Sequence, residues 1–268
     1  MEHALAGQTF VVTGGGTGIG RGIARRLVRD GGIVTILGRR ADVVEQAAAE
    51  LNELPGPGRA IGRTADVTNE AAMRDAVAAA IVEGNEPGLA GAVANAGGSG
   101  QMRELHEIDA ADFLAVLELN VVGTFNLLKF AVPSMIERGG GSFVAISSGA
   151  AHQTHKYFGA YTAAKAAVDT LIRNAADEYG DRNVRLNSVR PGLTMSEKMA
   201  ELVPDGDPIR ESYLVNTPMR GVGQVDDVAN LVRFLIGPEA RWITGEAIAV
   251  DGGNNIRTGP DISSIIPI

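Results

Sequence analysis

Short apolar runs rich in β-branched residues alternate along the chain with longer segments in which apolar positions recur at helical spacing. The apolar runs occupy residues 9–14, 33–38, 59–67, 89–98, 141–148, 183–192 and 246–253. A continuous apolar run is typical of a strand buried on both faces, and its alternation with helices is typical of a parallel sheet. We therefore predict an α/β fold, a doubly wound parallel sheet of about seven strands flanked by helices.

Two segments depart from this alternation. Residues 193–218 are polar, and Pro204 and Pro208 frame an Asp-Gly turn, so a flap over a binding site is predicted there. The tail, residues 254–268, ends in the apolar sequence ISSIIPI, which either docks onto another surface or frays. No linker or repeat is visible, so residues 1–268 are expected to form a single domain.

Composition limits the possible classes of function. The formal net charge of −8 argues against a nucleic-acid partner or an anionic membrane surface. The absence of cysteine excludes disulfides, thiolate metal sites and cysteine nucleophiles, and the four scattered histidines form no metal-ligand spacing. The first residues do not resemble a signal peptide, and no apolar run reaches the roughly 18 residues of a membrane helix. A cytoplasmic protein without membrane contact is expected.

A glycine-rich turn follows the first predicted strand. The sequence TGGGTGIG, residues 13–20, places Gly14, Gly18 and Gly20 directly between a strand and a helix, with Thr17 and Ile19 among them. Such a turn points unhindered backbone N–H groups of a helix N-terminus at a pyrophosphate. Flexible loops and hairpins use the same residues, but this position near the start of the chain favours nucleotide binding.

The end of the second predicted strand indicates which nicotinamide cofactor binds. An acidic residue there bonds the ribose 2′-hydroxyl of NAD, whereas an arginine suits the 2′-phosphate of NADP. Here the strand ends with Arg39 and Arg40, and no carboxylate occurs before Asp42. The sequence therefore favours NADP(H), with NAD(H) possible. The alternative is that both arginines are solvated side chains near a helix start.

Tyr161 and Lys165 lie four residues apart in an alanine-rich helical segment, so their side chains share one helix face. One interpretation is a half-buried tyrosine beside a solvated lysine. The other is a proton donor whose acidity is raised by a fixed cation.

With these motifs the sequence resembles the short-chain dehydrogenase/reductase family over nearly the whole chain. The resemblance rests on further motifs in the same order: Asp66 in ADV, Asn95-Ala96-Gly97, Asn120, Ser148, the Tyr161–Lys165 pair, Pro191-Gly192 and VDGG at 250–253. It implies a single-domain Rossmann-like fold and an oxidoreductase acting on a small carbonyl or alcohol. It also implies a homo-oligomer, a tetramer or a dimer, with residues 105–130 and 160–179 as candidate contact helices.

The resemblance also assigns residue roles. The implied catalytic residues are Asn120, Ser148, Tyr161 and Lys165. The implied cofactor-binding residues are Gly14, Thr17, Gly18, Ile19, Gly20, Arg39, Arg40, Asp66, Val67, Asn95, Ala96, Gly97, Tyr161, Lys165, Pro191, Gly192, Thr194 and Ser196. The family's spacing to the tyrosine selects Ser148 over Ser147. Either Thr194 or Ser196 would provide the hydroxyl that meets the cofactor carboxamide.

In this chemistry Tyr161 protonates the carbonyl oxygen, Ser148 donates a hydrogen bond to it, and Asn120 anchors a water that links Lys165 to solvent. The lysine cation and an oxidised nicotinamide are expected to lower the pKa of Tyr161 from about 10. His152 and His155 are expected in a loop at the substrate mouth. Phe158, Met195, Met199 and Tyr213 either line an apolar pocket or serve ordinary packing.

The substrate itself is not encoded in a motif, and a 3-oxoacyl thioester, a small ketone and a steroid-like alcohol all fit. One alternative is an enoyl-thioester reductase that reduces a carbon–carbon double bond. The other is a cofactor-binding regulator without turnover, although such proteins usually lose the tyrosine or the lysine, which this chain retains.

Overall fold

Parallel strands form the centre of the molecule. The computed structural model describes residues 3–84 and 87–257. In these ranges the main sheet contains β1 (Thr9–Thr13), β2 (Ile33–Gly38), β3 (Arg59–Thr64), β4 (Gly91–Ala94), β5 (Gly141–Ile146), β6 (Val184–Pro191) and β9 (Ala247–Val250). A two-stranded ladder pairs β7 (Thr194–Met195) with β8 (Gly223–Gln224).

The main sheet has the strand order β3-β2-β1-β4-β5-β6-β9, and every neighbouring pair is parallel. The order reverses between β1 and β4, which is where open α/β sheets bind ligands at the carboxyl ends of their strands. The prediction of a doubly wound parallel sheet is confirmed, and the fold is Rossmann-like.

Helices cover both faces of this sheet. The chain forms α1 (Gly18–Arg29), α2 (Ala41–Asn52), α3 (Glu70–Glu83), α4 (Ala110–Leu117), α5 (Gly123–Glu137), α6 (Gly159–Tyr179), α7 (Glu197–Leu202), α8 (Pro208–Asn216) and α9 (Val225–Ile236). Successive residues of a strand point to opposite faces. Accordingly, Phe10 and Val12 pack with α1, α2 and α9, whereas Val11 packs with α3, α5 and α6.

The helical segment Ala110–Glu137 is α4 and α5 joined by a π-turn at Glu118–Val122. By length and hydropathy alone it could cross a membrane, and 39% of its most apolar window is buried. Its Leu127, Ala131 and Met135 are buried in the core against the sheet, whereas Leu114 and Phe125 are exposed. The segment is therefore a core helix of this fold with one uncovered apolar side.

The predicted flap contains more secondary structure than the sequence indicated. Residues 193–218 contain β7, α7 and α8. No residue within α7 or α8 is buried, so neither helix has the apolar stripe by which a packed helix is recognised. Of the predicted tail, Asn254–Ile256 forms a 3-10 turn, and residues 258–268, which include ISSIIPI, lie outside the described residues.

Candidate active site

The glycine turn between β1 and α1 adopts a backbone that requires glycine. Gly14 and Gly18 have φ angles of +64° and +53°, in the left-handed region that residues with a Cβ rarely adopt. A Cβ on Gly20 would lie 2.2 Å from the Gly14 carbonyl oxygen. Thr17 is the N-cap of α1 and makes no side-chain cap bond. The first N–H groups of α1 therefore face the end of the sheet without a side-chain cap.

Asn95 fixes the position of this turn. Its side-chain amide donates to the carbonyl oxygens of Thr13 at 3.0 Å and Gly14 at 3.3 Å, and its backbone N–H donates to the Thr13 hydroxyl. The Asn95 side chain thus ties the end of β4 to the end of β1, so its observed contacts are with the turn.

A cleft of about 530 Å³ opens beside the turn, at the point where the strand order reverses. It is lined by Gly14, Gly16, Thr17, Leu37, Gly38, Arg39, Arg40, Val43, Val44, Ala65, Asp66, Val67, Ala96, Gly97, Leu119 and Lys198. The volume, the open helix N-terminus and the positive-φ glycines fit a dinucleotide with its pyrophosphate at the turn.

Eight of the predicted cofactor-binding residues line this cleft. They are Gly14, Thr17, Arg39, Arg40, Asp66, Val67, Ala96 and Gly97. The other predicted residues lie outside it, namely Gly18, Ile19, Gly20, Asn95, Tyr161, Lys165, Pro191, Gly192, Thr194 and Ser196. Sequence reasoning missed Lys198, because a polar flap carries no motif that would point to it.

Asp66 lies at the carboxyl end of β3 with one carboxylate oxygen already occupied. Its Oδ1 accepts hydrogen bonds from the backbone N–H of Thr68 at 3.0 Å and from the Thr68 hydroxyl at 2.9 Å. The Thr68 N–H, more than the nearby Arg39 charge, holds the pKa of the carboxyl below its usual value. Asp66 is therefore an ionised hydrogen-bond acceptor at neutral pH.

Three cations line the cleft without a salt bridge to any described residue, although the charge of Arg39 acts on Asp66. Arg39, Arg40 and Lys198 are exposed, and none forms an ion pair or a side-chain hydrogen bond with the residues that the structure describes. Elsewhere arginines pair closely, as Arg63 does with Glu83 and Arg233 with Asp30. In a chain with a net charge of −8, this local excess of positive charge indicates an anionic ligand.

The second part of the site lies where β5 meets α6. The amino group of Lys165 donates to the carbonyl oxygen of Ile146 at 2.8 Å and lies 5.6 Å from the centre of the Tyr161 ring. The hydroxyl of Ser147 donates to the backbone oxygen of Lys165 at 3.2 Å. The structure therefore excludes a solvated lysine, because Lys165 is buried and hydrogen-bonded to the strand.

The two candidate serines point to different partners. The Ser148 side chain acts on Tyr161 by hydrogen bonding that lowers the Tyr161 pKa, and its Oγ accepts from the Ala150 N–H at 3.1 Å. Ser147 is bonded to the backbone of α6 instead. The structure thus brings Ser148, Tyr161 and Lys165 together, as the resemblance implied, although their catalytic roles stay predictions.

Burial is the main influence on the pKa of Tyr161 in the protein alone, whereas the sequence expectation also includes a bound oxidised nicotinamide. Burial raises it above its usual value, and this effect outweighs the Ser148 hydrogen bond, which lowers it. Burial also lowers the pKa of Lys165 to about 8, against the opposing charge of Asp169. The sequence indicated the lysine cation but not the burial of the pair. Because burial raises its pKa, Tyr161 is protonated at neutral pH when no oxidised nicotinamide is bound.

Asn120 lies buried in the π-turn between α4 and α5. Its side-chain amide donates to the carbonyl oxygens of Gly98 at 2.8 Å and Val116 at 2.9 Å, and its Oδ1 accepts from the Gly98 N–H. A Cβ on Gly97 would lie 2.6 Å from this Oδ1 and 3.2 Å from the Lys165 amino nitrogen. Asn120 and Lys165 thus meet at Gly97, and the water-anchoring role of Asn120 remains a prediction.

The segment after β6 leads from the sheet into the flap. The Gly192 N–H donates to the Val250 oxygen at 2.9 Å, and the Thr194 hydroxyl donates to the Gly192 oxygen at 3.1 Å. Ser196 caps α7 by accepting from the Met199 N–H, and a Cβ on Gly18 would lie 3.5 Å from the Ser196 Cβ. Both candidate hydroxyls therefore have intramolecular contacts, and the choice between Thr194 and Ser196 stays open.

Aromatic rings extend from Tyr161 toward the surface. Ring centroids lie 6.1 Å apart for Phe158 and Tyr161, 6.2 Å for His155 and Phe158, and 6.5 Å for His155 and Tyr213. A second cavity, of about 610 Å³, is lined by His152, Gln153, Thr154, His155, Ser212, Tyr213, Asn216, Asn254, Asn255 and Arg257. Both histidines line this cavity, whereas Met195 and Met199 do not.

The comparisons with known proteins agree with this geometry. A family model described as Enoyl-(Acyl carrier protein) reductase matches residues 14–255. The chain is 36% identical to 2-(S)-hydroxypropyl-CoM dehydrogenase 3 of Xanthobacter autotrophicus, over 94% of this chain and 98% of that protein.

Solved structures show the same similarity. A short-chain type dehydrogenase/reductase from Mycobacterium ulcerans superposes with a TM-score of 0.92 at 41% identity, covering 98% of this chain and 94% of that one. A 7α-hydroxysteroid dehydrogenase complexed with NADH and 7-oxo glycochenodeoxycholic acid gives a TM-score of 0.87 at 32% identity, covering 94% and 96%. Since model, relatives and structures each span nearly the whole chain, it belongs to the short-chain dehydrogenase/reductase family of oxidoreductases.

Proposed function

We propose that the chain is an NADP(H)-dependent oxidoreductase that interconverts a carbonyl and a secondary alcohol, with Tyr161 as the general acid and base. The observation that carries the proposal is the cluster of Ser148, Tyr161 and Lys165 at the end of β5. The named relatives support the reaction class, because they are dehydrogenases of hydroxyl compounds.

In the reductive direction, NADPH held in the cleft between the glycine turn and Arg39 would supply the hydride that the carbonyl carbon gains. Tyr161, protonated because burial raises its pKa, donates its proton to the carbonyl oxygen, so that the carbonyl gains one hydride and one proton. Ser148 donates its hydrogen bond to that oxygen as negative charge develops there. The Lys165 cation stabilises the tyrosinate that remains, and Tyr161 recovers a proton from solvent before the next turnover.

The preference for NADP(H) is supported by charge. Arg39 and Arg40 follow β2 and line the cleft, and neither forms a salt bridge with residues 3–84 or 87–257. A guanidinium is suited to bidentate contact with a phosphate. Asp66 provides a carboxylate in the same cleft, but it follows β3 and accepts from Thr68.

The test is the consumption of NADPH and NADH, in parallel, with ketones, 3-oxoacyl thioesters and enoyl thioesters. Reduction of a carbonyl with NADPH preferred supports the proposal. Preference for NADH would be compatible with the proposed mechanism but would reject the proposed contact of Arg39 and Arg40 with the 2′-phosphate. Cofactor binding with no turnover on the whole panel would instead favour a regulator that binds the cofactor without chemistry.

Enoyl-thioester reduction is the second candidate, and the description of the matching family model favours it. Against it, the intact set of Ser148, Tyr161 and Lys165 favours reduction at a carbonyl. Saturation of the enoyl thioesters, with the ketones left unreduced, would select this candidate.

A further inference from the structure

Lys198 is a cation that reaches the cofactor cleft from the flap. Arg39 and Arg40 belong to the sheet side of the cleft, between β2 and α2, whereas Lys198 lies in the first turn of α7. All three residues line the same cleft. The amino group of Lys198 is exposed and has no ion pair or hydrogen bond with the residues that the structure describes.

The start of α7 is held against the body of the protein beside this lysine. Glu197 lies 3.6 Å from the guanidinium of Arg21, which belongs to α1. Ser196 caps α7 and lies next to Gly18 of the glycine turn. No residue within α7 is buried, and both the Glu197–Arg21 contact and the Ser196 cap lie at its start. A ligand that bound Lys198 would therefore add a contact where the flap meets the cofactor.

The charge balance of the cleft indicates what that ligand is. Its lining contains the three cations but only one carboxylate, Asp66, whose Oδ1 is occupied by Thr68. The backbone N–H groups at the glycine turn already suit a pyrophosphate without a side-chain cation. The three unpaired cations are thus available for a further phosphate.

We propose that Lys198 binds the 2′-phosphate of NADP(H) together with Arg39 and Arg40, so that this cofactor holds the flap closed more strongly than NAD(H) does. The inference rests on the proposed use of NADP(H). The pyrophosphate of the cofactor is the alternative group for Lys198 to bind. NADH contains the pyrophosphate but not the 2′-phosphate, so a comparison of NADPH with NADH separates the two contacts.

The test is the affinity of the Lys198→Gln variant for NADPH and for NADH, measured by isothermal titration calorimetry. We expect NADPH to bind about tenfold more weakly, since one charge-assisted contact of about 1.4 kcal/mol is lost, and NADH to bind within about twofold of wild type. Lys156→Gln is the matched control, because Lys156 is an exposed lysine outside the cleft lining, and it should change neither affinity.

Limited chymotrypsin digestion gives a second readout on the flap. NADPH is expected to protect the bonds after Leu202 and Tyr213 in wild type more strongly than saturating NADH does. In Lys198→Gln the two cofactors should protect these bonds equally. Glutamine creates no chymotrypsin site, so the cleavage pattern remains comparable.

Three outcomes would overturn the proposal. Equal weakening of NADPH and NADH would assign Lys198 to the pyrophosphate, and unchanged affinities would make it a solvated surface charge. A wild type that binds NADH more tightly than NADPH would reject the proposed cofactor preference itself, independently of the variant. The wild-type affinities thus test the proposed function, and the ratio between variant and wild type tests Lys198.

Discussion

At the scale of single residues, Tyr161 and Lys165 owe their chemistry to burial as much as to each other. Burial raises the pKa of Tyr161 and lowers that of Lys165 to about 8, so both groups are shifted toward their neutral forms. Hydrogen bonding from Ser148 opposes this shift at Tyr161, and the Lys165 amino group donates to the Ile146 oxygen. Tyr161 therefore keeps its proton at neutral pH, and Lys165 is close to the loss of its charge.

Removal of the Tyr161 hydroxyl tests its role as the acid. Tyr161→Phe is expected to lower turnover by about 10²–10⁴-fold, because the proton for the substrate oxygen is lost. Cofactor affinity should stay near that of wild type, since Tyr161 is not part of the cleft lining. Steady-state kinetics and calorimetry measure the two quantities. Near-normal turnover in this variant would refute the mechanism.

The pH dependence of reduction reports on Lys165. Its cation is present below a pKa of about 8 and is lost as the pH rises through that value, so the reductive rate should fall there. Asp169 lies two turns beyond Tyr161 in α6 and accepts hydrogen bonds from Ser188 at 2.6 Å and from Arg190 at 2.7 Å. Its negative charge raises the pKa of Lys165.

Asp169→Asn is therefore expected to move the fall in reductive rate to a lower pH, because the carboxylate that favours the lysine cation is gone. The measurement is kcat/KM for reduction as a function of pH. Ser188→Ala keeps the carboxylate and is the control, with a profile like that of wild type. An unmoved profile in correctly folded Asp169→Asn would show that the carboxylate does not act on Lys165.

At the scale of elements, the turn between β1 and α1 both connects two core elements and lines the candidate cofactor cleft. Gly20→Ala should place a methyl group against the Gly14 oxygen and the Asn95 amide, both under 3.0 Å away. We expect a loss of about 1–3 kcal/mol in the free energy of unfolding from overpacking, and weaker binding of both cofactors. Urea denaturation followed by circular dichroism measures the first effect, and calorimetry the second.

Gly180→Ala is the matched control for this turn. Gly180 has a helical φ of −62°, and no heavy atom lies within 4 Å of a Cβ at this position. Alanine there should leave stability unchanged or raise it by up to about 1 kcal/mol. If both variants were equally stable, the close approach at Gly20 would not constrain the turn.

The sequence predicted the elements of the sheet better than their ends. The predicted run 33–38 coincides with β2, but the run 59–67 continues beyond β3, which ends at Thr64. Ala65 and Val67 remain buried after the strand ends because they pack in the core with α3 and α5, and both also line the cleft. An apolar pattern records burial, so it does not distinguish the end of a strand from the wall of a site.

The residues of the candidate site likewise divide into those that the sequence predicted and those that it missed. The glycine turn and the Tyr161–Lys165 pair are local patterns, so sequence spacing was sufficient to find them. Lys198 was missed because its approach to Arg39 and Arg40 depends on how the flap lies over the cleft. The burial that raises the pKa of Tyr161 was missed because it depends on elements distant in the sequence.

At the scale of the whole molecule, apolar side chains remain uncovered along Ala110–Glu137. Leu114, Val122 and Phe125 have exposed fractions of 61%, 41% and 43%. A concentration of exposed apolar residues on one helical segment is typical of a protein–protein contact. It supports the prediction that residues 105–130 contribute to a homo-oligomer, which we propose and which sedimentation can test.

Wild type is expected to sediment as a dimer or tetramer at micromolar concentration. Phe125→Glu should shift it to a smaller species, because a charge would then be buried in the contact. Val82→Glu changes an equally apolar but 82% exposed residue of α3, outside the proposed contact, and should not alter the sedimenting mass. A monomeric wild type would reject the oligomer.

Strand β5 holds Lys165 at two points, through the Ile146 oxygen and through Ser147. The reactive pair is therefore anchored to the sheet, whereas α7 and α8 bury none of their own residues. Substitutions within these two helices leave the hydrophobic core untouched. On the proposed function, substitutions in these helices would exchange the substrates that the protein accepts while Lys165 stays anchored, and Tyr213 of α8, which raises the pKa of Tyr161, is the flap residue to keep.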